Sequence, residues 1–117
     1  MHTNRYTLTL LLLRDDAPVL TEEQESALQD AHMAHLSLLH ERGELLAAGP
    51  VLGAPDRNLR GFGIYRGDVD RVRTLTESDP AVRAGRYRTE AHPWMVPAGI
   101  VAFSPGRLPA SMAEATR

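Results

Sequence analysis

The first pattern along the chain is an alternation. In RYTLTLLLLR, residues 5 to 14, Thr7, Thr9, Leu11 and Leu13 point one way and Tyr6, Leu8, Leu10 and Leu12 the other. A period of two predicts a strand, and apolar residues on both sides towards its end predict cover on both faces. After a loop at 15 to 20, the period changes. Residues 21 to 42, TEEQESALQDAHMAHLSLLHER, carry an apolar stripe at helical spacing. Thr21 and Gln24 form a capping box, Glu22 and Glu23 suit the positive helix end, and Gly43 stops it. Within the stripe, His32 and His35 fall within roughly 40° of Leu28, with Leu39 between them. Glu23, Ser26, Asp30, Ser37 and Glu41 occupy the opposite face.

The rest of the pattern is shorter in period. Residues 44 to 52 read as a second strand, interrupted at Gly49 and Pro50, where proline cannot donate to a ladder. A turn is expected at 53 to 59. A third strand covers 60 to 66, with Phe62 and Ile64 on one face and glycines that suggest close backbone approach. A helix over 68 to 77 is capped by Asp68. Residues 78 to 85 break it and start a short turn with Asp79 as cap and Pro80 in first position. A fourth strand covers 86 to 94. Beyond it the chain is rich in Pro, Gly and Ser, with a short strand expected near 100 to 103 and a weak helix at 110 to 115 in a frayed tail. Residues 1–97 thus form one domain and 98–117 an extension.

Strand, helix, strand, strand, helix, strand is the ferredoxin-like split βαβ order of the α+β class. Its four-stranded antiparallel sheet has both helices on one face. The other face then exposes Leu8, Leu10 and Leu12, and a homodimer through sheet faces is the expected remedy.

Composition removes several function classes. The 117 residues contain no cysteine, so disulfides and thiolate chemistry are excluded, and no lysine, so Schiff-base chemistry is too. The thirteen basic residues are scattered among fifteen acidic ones, with a net charge of −2 and no basic footprint for nucleic acid. The apolar run at 10 to 13 is far short of a signal core or a membrane span, which makes a cytoplasmic location the expectation. Neither GFG nor GPVLG has the spacing of a phosphate loop. Nothing points to flavin, haem or nicotinamide, and no cofactor is expected.

An imidazole in a leucine stripe needs a polar partner, since an unpaired buried polar group is costly. The candidate carboxylates are Asp15, Asp16, Asp68 and Asp79. Asp79 stands out because it lies where helix 2 hands over to the last strand, beside helix 1 in this architecture. One of its oxygens can cap while the other meets His32. With two histidines at i, i+3, a metal site using His32, His35 and Asp79 is a further reading, without an HExxH-like base to accompany it.

Two segments carry a resemblance: AHMAHLSLLHERGELLAAGPVL, residues 31 to 52, and DPAVRAGRY, residues 79 to 87. In order and spacing they resemble the YciI-like, or YCII-related, family, over about residues 5 to 95. That family is similar to the dimeric α+β barrels, so the resemblance implies a dimeric α+β barrel. It also implies an active site around a helix-1 histidine and the aspartate of an Asp-Pro step, matching His32 and Asp79. Related members include a dehydrochlorinase acting on a chlorinated hydroxyhydroquinone, with the pair in acid–base chemistry. Ala81 departs from the pattern, since relatives often carry an aromatic there; a roomier or more polar pocket is implied.

The expected chemistry is a lyase (dehydrochlorinase-like) or isomerase step, with His32 exchanging a proton with a small cyclic or aromatic substrate and Asp79 orienting it. His35 is expected to be a pocket neighbour or a packing residue. Gly49 and Pro50 border the cavity, Arg14 could meet an acidic substrate group, and Trp94 could line the pocket or the dimer interface. The alternative is a regulatory or small-ligand-binding homodimer without turnover.

Overall fold

The computed structural model describes residues 2 to 53 and 58 to 116. Most of the turn expected at 53 to 59 lies outside the described residues. The element order is β1 (Thr3–Leu13), α1 (Glu22–Glu41), β2 (Leu45–Pro50), β3 (Leu59–Tyr65), α2 (Val69–Glu77), α3 (Pro80–Arg83), β4 (Tyr87–Pro97) and α4 (Met112–Ala115). Local chemistry explains the boundaries. Thr21 and Gln24 make the reciprocal capping box that starts α1. After its last turn the chain reverses through Gly43, whose φ of 76° would strain any residue with a Cβ. The Asp68 carboxylate accepts from the Arg71 N–H to open α2, and Asp79 does the same for Ala81 to open α3.

The four strands form one antiparallel sheet in the order β2-β3-β1-β4. This is the ferredoxin-like arrangement. The dimeric α+β barrel implied by the family resemblance is not: the sheet is not closed into a barrel, and β2 and β4 remain its two open edges. Both edges carry proline, Pro50 on β2 and Pro93 and Pro97 on β4. Proline lacks the N–H a ladder needs, and four strands are few for closure.

Register assigns the two faces. Thr7, Thr9 and Leu11 pair with Tyr65, Gly63 and Gly61 on one side and with Pro93, Ala91 and Thr89 on the other. The helices cover this face, as shown by the Thr7 hydroxyl donating to the Gly67 carbonyl at 2.8 Å and the Thr89 hydroxyl to Thr76 of α2 at 3.1 Å. So the threonine side of β1 is the one beneath the helices, and Leu8 and Leu10 lie half-buried on the opposite side with Phe62 and Ile64. The close approach expected at the β3 glycines is real. A Cβ on Gly63 would lie 2.7 Å from the Thr9 hydroxyl oxygen. The core gathers Leu39 of α1, Leu45, Tyr65, Val72 and Leu75; burying each aliphatic side chain contributes about 1.5–3 kcal/mol.

The extension is irregular over residues 98 to 109, with no strand at 100 to 103. It then forms α4 with Ser111 as cap. It runs antiparallel along α1 as a strap. Both ring nitrogens of His40 face carbonyl oxygens, Leu45 at 2.8 Å and Gly106 at 2.5 Å. Further along, the Ser37 hydroxyl donates to the Leu108 carbonyl and the Met112 N–H to Asp30. The polar side of α1 therefore faces the strap. Among the described residues no helix is long and apolar enough to cross a membrane.

Candidate functional site

His32 projects from the middle of α1, and Asp79 sits at the junction of α2 and α3. Helical periodicity places the first on the sheet-facing stripe. The Asp-Pro step fixes the second, because Pro80 at the first helical position leaves the preceding residue extended, with φ −63° and ψ 127°. The two meet: His32 Nδ1–H donates to Asp79 Oδ2 at 2.5 Å, and Asp79 Oδ1 accepts from the Ala81 N–H at 2.9 Å. Capping and imidazole binding thus use different oxygens of one carboxylate. The side chains are only 8% and 4% exposed, so the pair is largely shielded from water.

That geometry fixes the ring's chemistry. A carboxylate only accepts, so the proton sits on Nδ1 and the neutral ring presents Nε2 as an open acceptor. Among the described residues Nε2 has no hydrogen-bond partner, and no side-chain nitrogen or oxygen there is both sealed from solvent and unpartnered. The small exposed part of His32 therefore includes Nε2. The Tyr87 ring stands beside the imidazole, with centroids 5.7 Å apart and planes tilted by 57°. Arg86 lies 5.3 Å from the Tyr87 centroid and bonds Glu25 of α1 at 3.3 Å. Its pKa is raised, with Tyr87 the first cause and Glu25 a further one, so the guanidinium stays charged beside Tyr87.

The other residues singled out by sequence lie elsewhere. His35 points Nε2–H at the Leu75 carbonyl, 3.0 Å away, which ties α1 to α2 and turns the ring from the pair. Together with the Nδ1 contact of His32, this leaves His32, His35 and Asp79 unassembled as a metal site; among the described residues no group of three or more His, Asp or Glu is placed to hold one. Arg14 is exposed and bonded to Asp16, whose carboxyl it holds below the usual range. Gly49 and Pro50 are exposed at the end of β2, the sheet edge opposite β4 and its Tyr87. Trp94 pairs with Tyr6 on the face away from the helices, 5.9 Å between centroids. A groove of about 450 Å³ runs between the strap and the start of β2, walled by Ser37, His40, Leu45, Arg66 and Phe103; neither His32 nor Asp79 lines it.

Sequence reasoning missed Tyr65. It is 3% exposed, and burial first, with the Asp79 charge second, pushes its phenol well above the ordinary tyrosine value. The signal for it was the alternation Gly61, Gly63, Tyr65 on one strand face, two residues without side chains followed by an aromatic.

The YCII-related domain matches residues 7–94, a span that runs from within β1 to within β4 and includes His32 and Asp79. Protein YciI of Escherichia coli O6:H1 and protein YciI of Shigella flexneri are each 33% identical over 88 residues, covering 68% of this chain and 87% of theirs. Among solved structures, the chain is similar to the 5-chloro-2-hydroxyhydroquinone dehydrochlorinase of Burkholderia phenoliruptrix in complex with 2,5-dihydroxybenzoquinone. The TM-score is 0.56 at 25% identity, covering 76% of this chain and 92% of that one. The chain belongs to the YCII-related domain family.

Proposed function

We propose that the chain is an enzyme of the lyase or isomerase type that moves a proton on a small oxygenated ring, with His32 as the acid–base residue and Asp79 orienting it. One observation carries this reading: Nδ1 of His32 is committed to Asp79 while Nε2 is unpartnered and open. A packing histidine would have both nitrogens occupied or sealed; this one keeps a basic nitrogen free at a buried carboxylate, the arrangement a general base needs. In a dehydrochlorinase-like step, Nε2 takes a proton from a ring C–H or O–H. The released electron pair forms the new double bond, chloride leaves with its bonding pair, and the imidazolium returns its proton to water. The step is redox-neutral and asks for no electron carrier. The similarity to a dehydrochlorinase solved with a dihydroxybenzoquinone supports a substrate of that class.

Incubation with chlorinated hydroxyhydroquinones, following chloride release, tests this. Turnover that falls by about 10²–10⁴-fold in His32→Asn supports the step. Ligand binding by the wild type with no turnover moves the assignment to a ligand-binding protein. The half-buried Leu8, Leu10 and Ile64 and the 38% exposed Phe62 on the uncovered sheet face support association with a second copy through that face. A monomer by light scattering at micromolar concentration overturns it.

A further inference from the structure

The contacts of His40 at the end of α1 ask for a charged ring. Its Nδ1 faces the Leu45 carbonyl at 2.8 Å, and its Nε2 faces the Gly106 carbonyl of the strap at 2.5 Å. A carbonyl oxygen only accepts, and a neutral imidazole has a single N–H. With one proton, one contact would set a nitrogen lone pair against an oxygen lone pair. Both contacts are hydrogen bonds only when both nitrogens carry protons. The position favours that charge, since His40 lies in the last turn of α1, where the negative end of the helix stabilises a cation. The charged side chains around the ring are Glu41 of α1, Arg66 after β3 and Arg107 of the strap, which line the same groove. Arg66 donates to the Gly43 carbonyl, and Arg107 lies 4.0 Å from Glu114. Among the described residues the ring itself is bonded to carbonyls and not to a carboxylate. The two bonds differ in surroundings. Leu45 is fully buried, whereas the contact with Gly106 is exposed. A ring that gives up one proton therefore keeps the one on Nδ1, because the Gly106 carbonyl can turn to water and the Leu45 carbonyl would be left buried without its donor.

We propose that His40 is a proton-operated latch: its imidazolium ties the strap to the end of α1, and loss of the Nε2 proton to water frees the strap around Gly106 and opens the groove beside it. The proposal is independent of the acid–base reading of His32. Docking takes up one proton, so it is favoured at low pH, and its equilibrium weakens by up to about tenfold per pH unit once the free ring is neutral. Histidine is the side chain whose charge ordinarily changes between about pH 5 and 8. What the latch releases is limited by the remaining anchors. Phe103 packs edge-on against Tyr6, with 5.3 Å between centroids, and Met112 N–H donates to Asp30 at 2.9 Å. Between them, Gly106 and Leu108 hold α1 through His40 and through Ser37, the latter bond 3.3 Å long. Residues 104 to 108 are thus the segment that lifts while both ends of the strap stay attached.

The test follows ring and strap together in the full chain from about pH 5 to 9, a range that brackets histidine titration. A long-range proton–nitrogen spectrum reads the protons on the His40 ring. Backbone order parameters at Ser104, Gly106, Arg107 and Leu108 read the strap. While both ring nitrogens are protonated, these order parameters should sit near the rigid value of about 0.85, and they should fall below about 0.6 over the same pH interval in which Nε2 loses its proton. Those of β1 should stay constant. His40→Gln carries no charge and cannot bond both carbonyls, so its strap should be loose throughout the range; this also separates the ring from the titration of Asp30, Glu41 and Glu114. A strap that stays rigid after Nε2 is bare, or that is rigid in His40→Gln, overturns the latch. So does a strap that is mobile while the ring is charged. A ring with one proton at about pH 5, or with both still at about pH 9, overturns the switch. Should His40→Gln fail to fold, the coincidence of the two wild-type transitions decides alone.

Discussion

Breaking the His32–Asp79 pair from each side in turn should cost much more than removing it whole. With 8% and 4% of their side chains exposed, both groups have given up most of their hydration. Asp79→Ala leaves the imidazole without its acceptor and takes the cap from α3. Losing one partner of a buried pair costs about 3–5 kcal/mol, and losing a cap adds about 1 kcal/mol. His32→Ala leaves a buried carboxylate whose remaining bond is the Ala81 N–H, again at a cost of about 3–5 kcal/mol. The double variant has neither orphan, so its cost should fall short of the sum by about 2 kcal/mol or more. Urea unfolding at neutral pH, followed by far-UV circular dichroism with the slope checked for constancy, measures all four corners. Since a small domain has only about 5–15 kcal/mol in total, the milder cycle of His32→Gln and Asp79→Asn belongs beside it. Costs that add within about 0.5 kcal/mol would refute the coupling and with it the orienting role of Asp79.

Gly63→Ala should destabilise by about 1–3 kcal/mol, because the added methyl meets the Thr9 hydroxyl oxygen at 2.7 Å; thermal melts check this, and an unchanged midpoint refutes the close approach. Tyr65 makes stability depend on alkaline pH. Its folded pKa is raised above the unfolded value, so the unfolded chain loses that proton first, and stability present below about pH 10 falls as pH rises further, by up to about 1.4 kcal/mol per unit. Tyr65→Phe should flatten this slope in urea midpoints measured across that range, and an unaltered slope would contradict it. His40→Ala removes the bridge from β2 to the strap, and amide exchange at residues 104 to 110 should then rise at least severalfold while exchange in β1 stays constant.

The α1 boundaries and the Asp79–Pro80 cap were legible because they depend on residues a few positions apart, whose side chains bond neighbouring backbone. The pairing of His32 with Asp79 was legible for a related reason: a polar group in an apolar stripe must find a partner, and one carboxylate stood where the second helical unit meets the first. The face of β1 was legible in part: Leu8 and Leu10 lie on the side away from the helices as the alternation implies, and the contacts of Thr7 with Gly67 and of Thr89 with Thr76 mark the covered side. Leu12, expected to be exposed with them, is buried at the shift in β1–β3 register after Leu11. Tyr65 escaped notice because its meaning comes from the β1–β3 register and a missing Cβ two residues away. The strap escaped for a different reason: it binds His40 and Ser37 through backbone carbonyls, which every residue has. The barrel expectation came from the family resemblance rather than from the strand pattern, and the open edges of β2 and β4 correct it.

The open Nε2 of His32 is tested most directly by a long-range proton–nitrogen correlation spectrum of the imidazoles, recorded before and after adding 2,5-dihydroxybenzoquinone. The geometry predicts that the free protein holds His32 as the Nδ1–H tautomer with bare Nε2, and that the Nε2 resonance moves as the quinone binds. A proton found on Nε2 in the free protein, or an Nε2 resonance unmoved at saturating quinone, would contradict it.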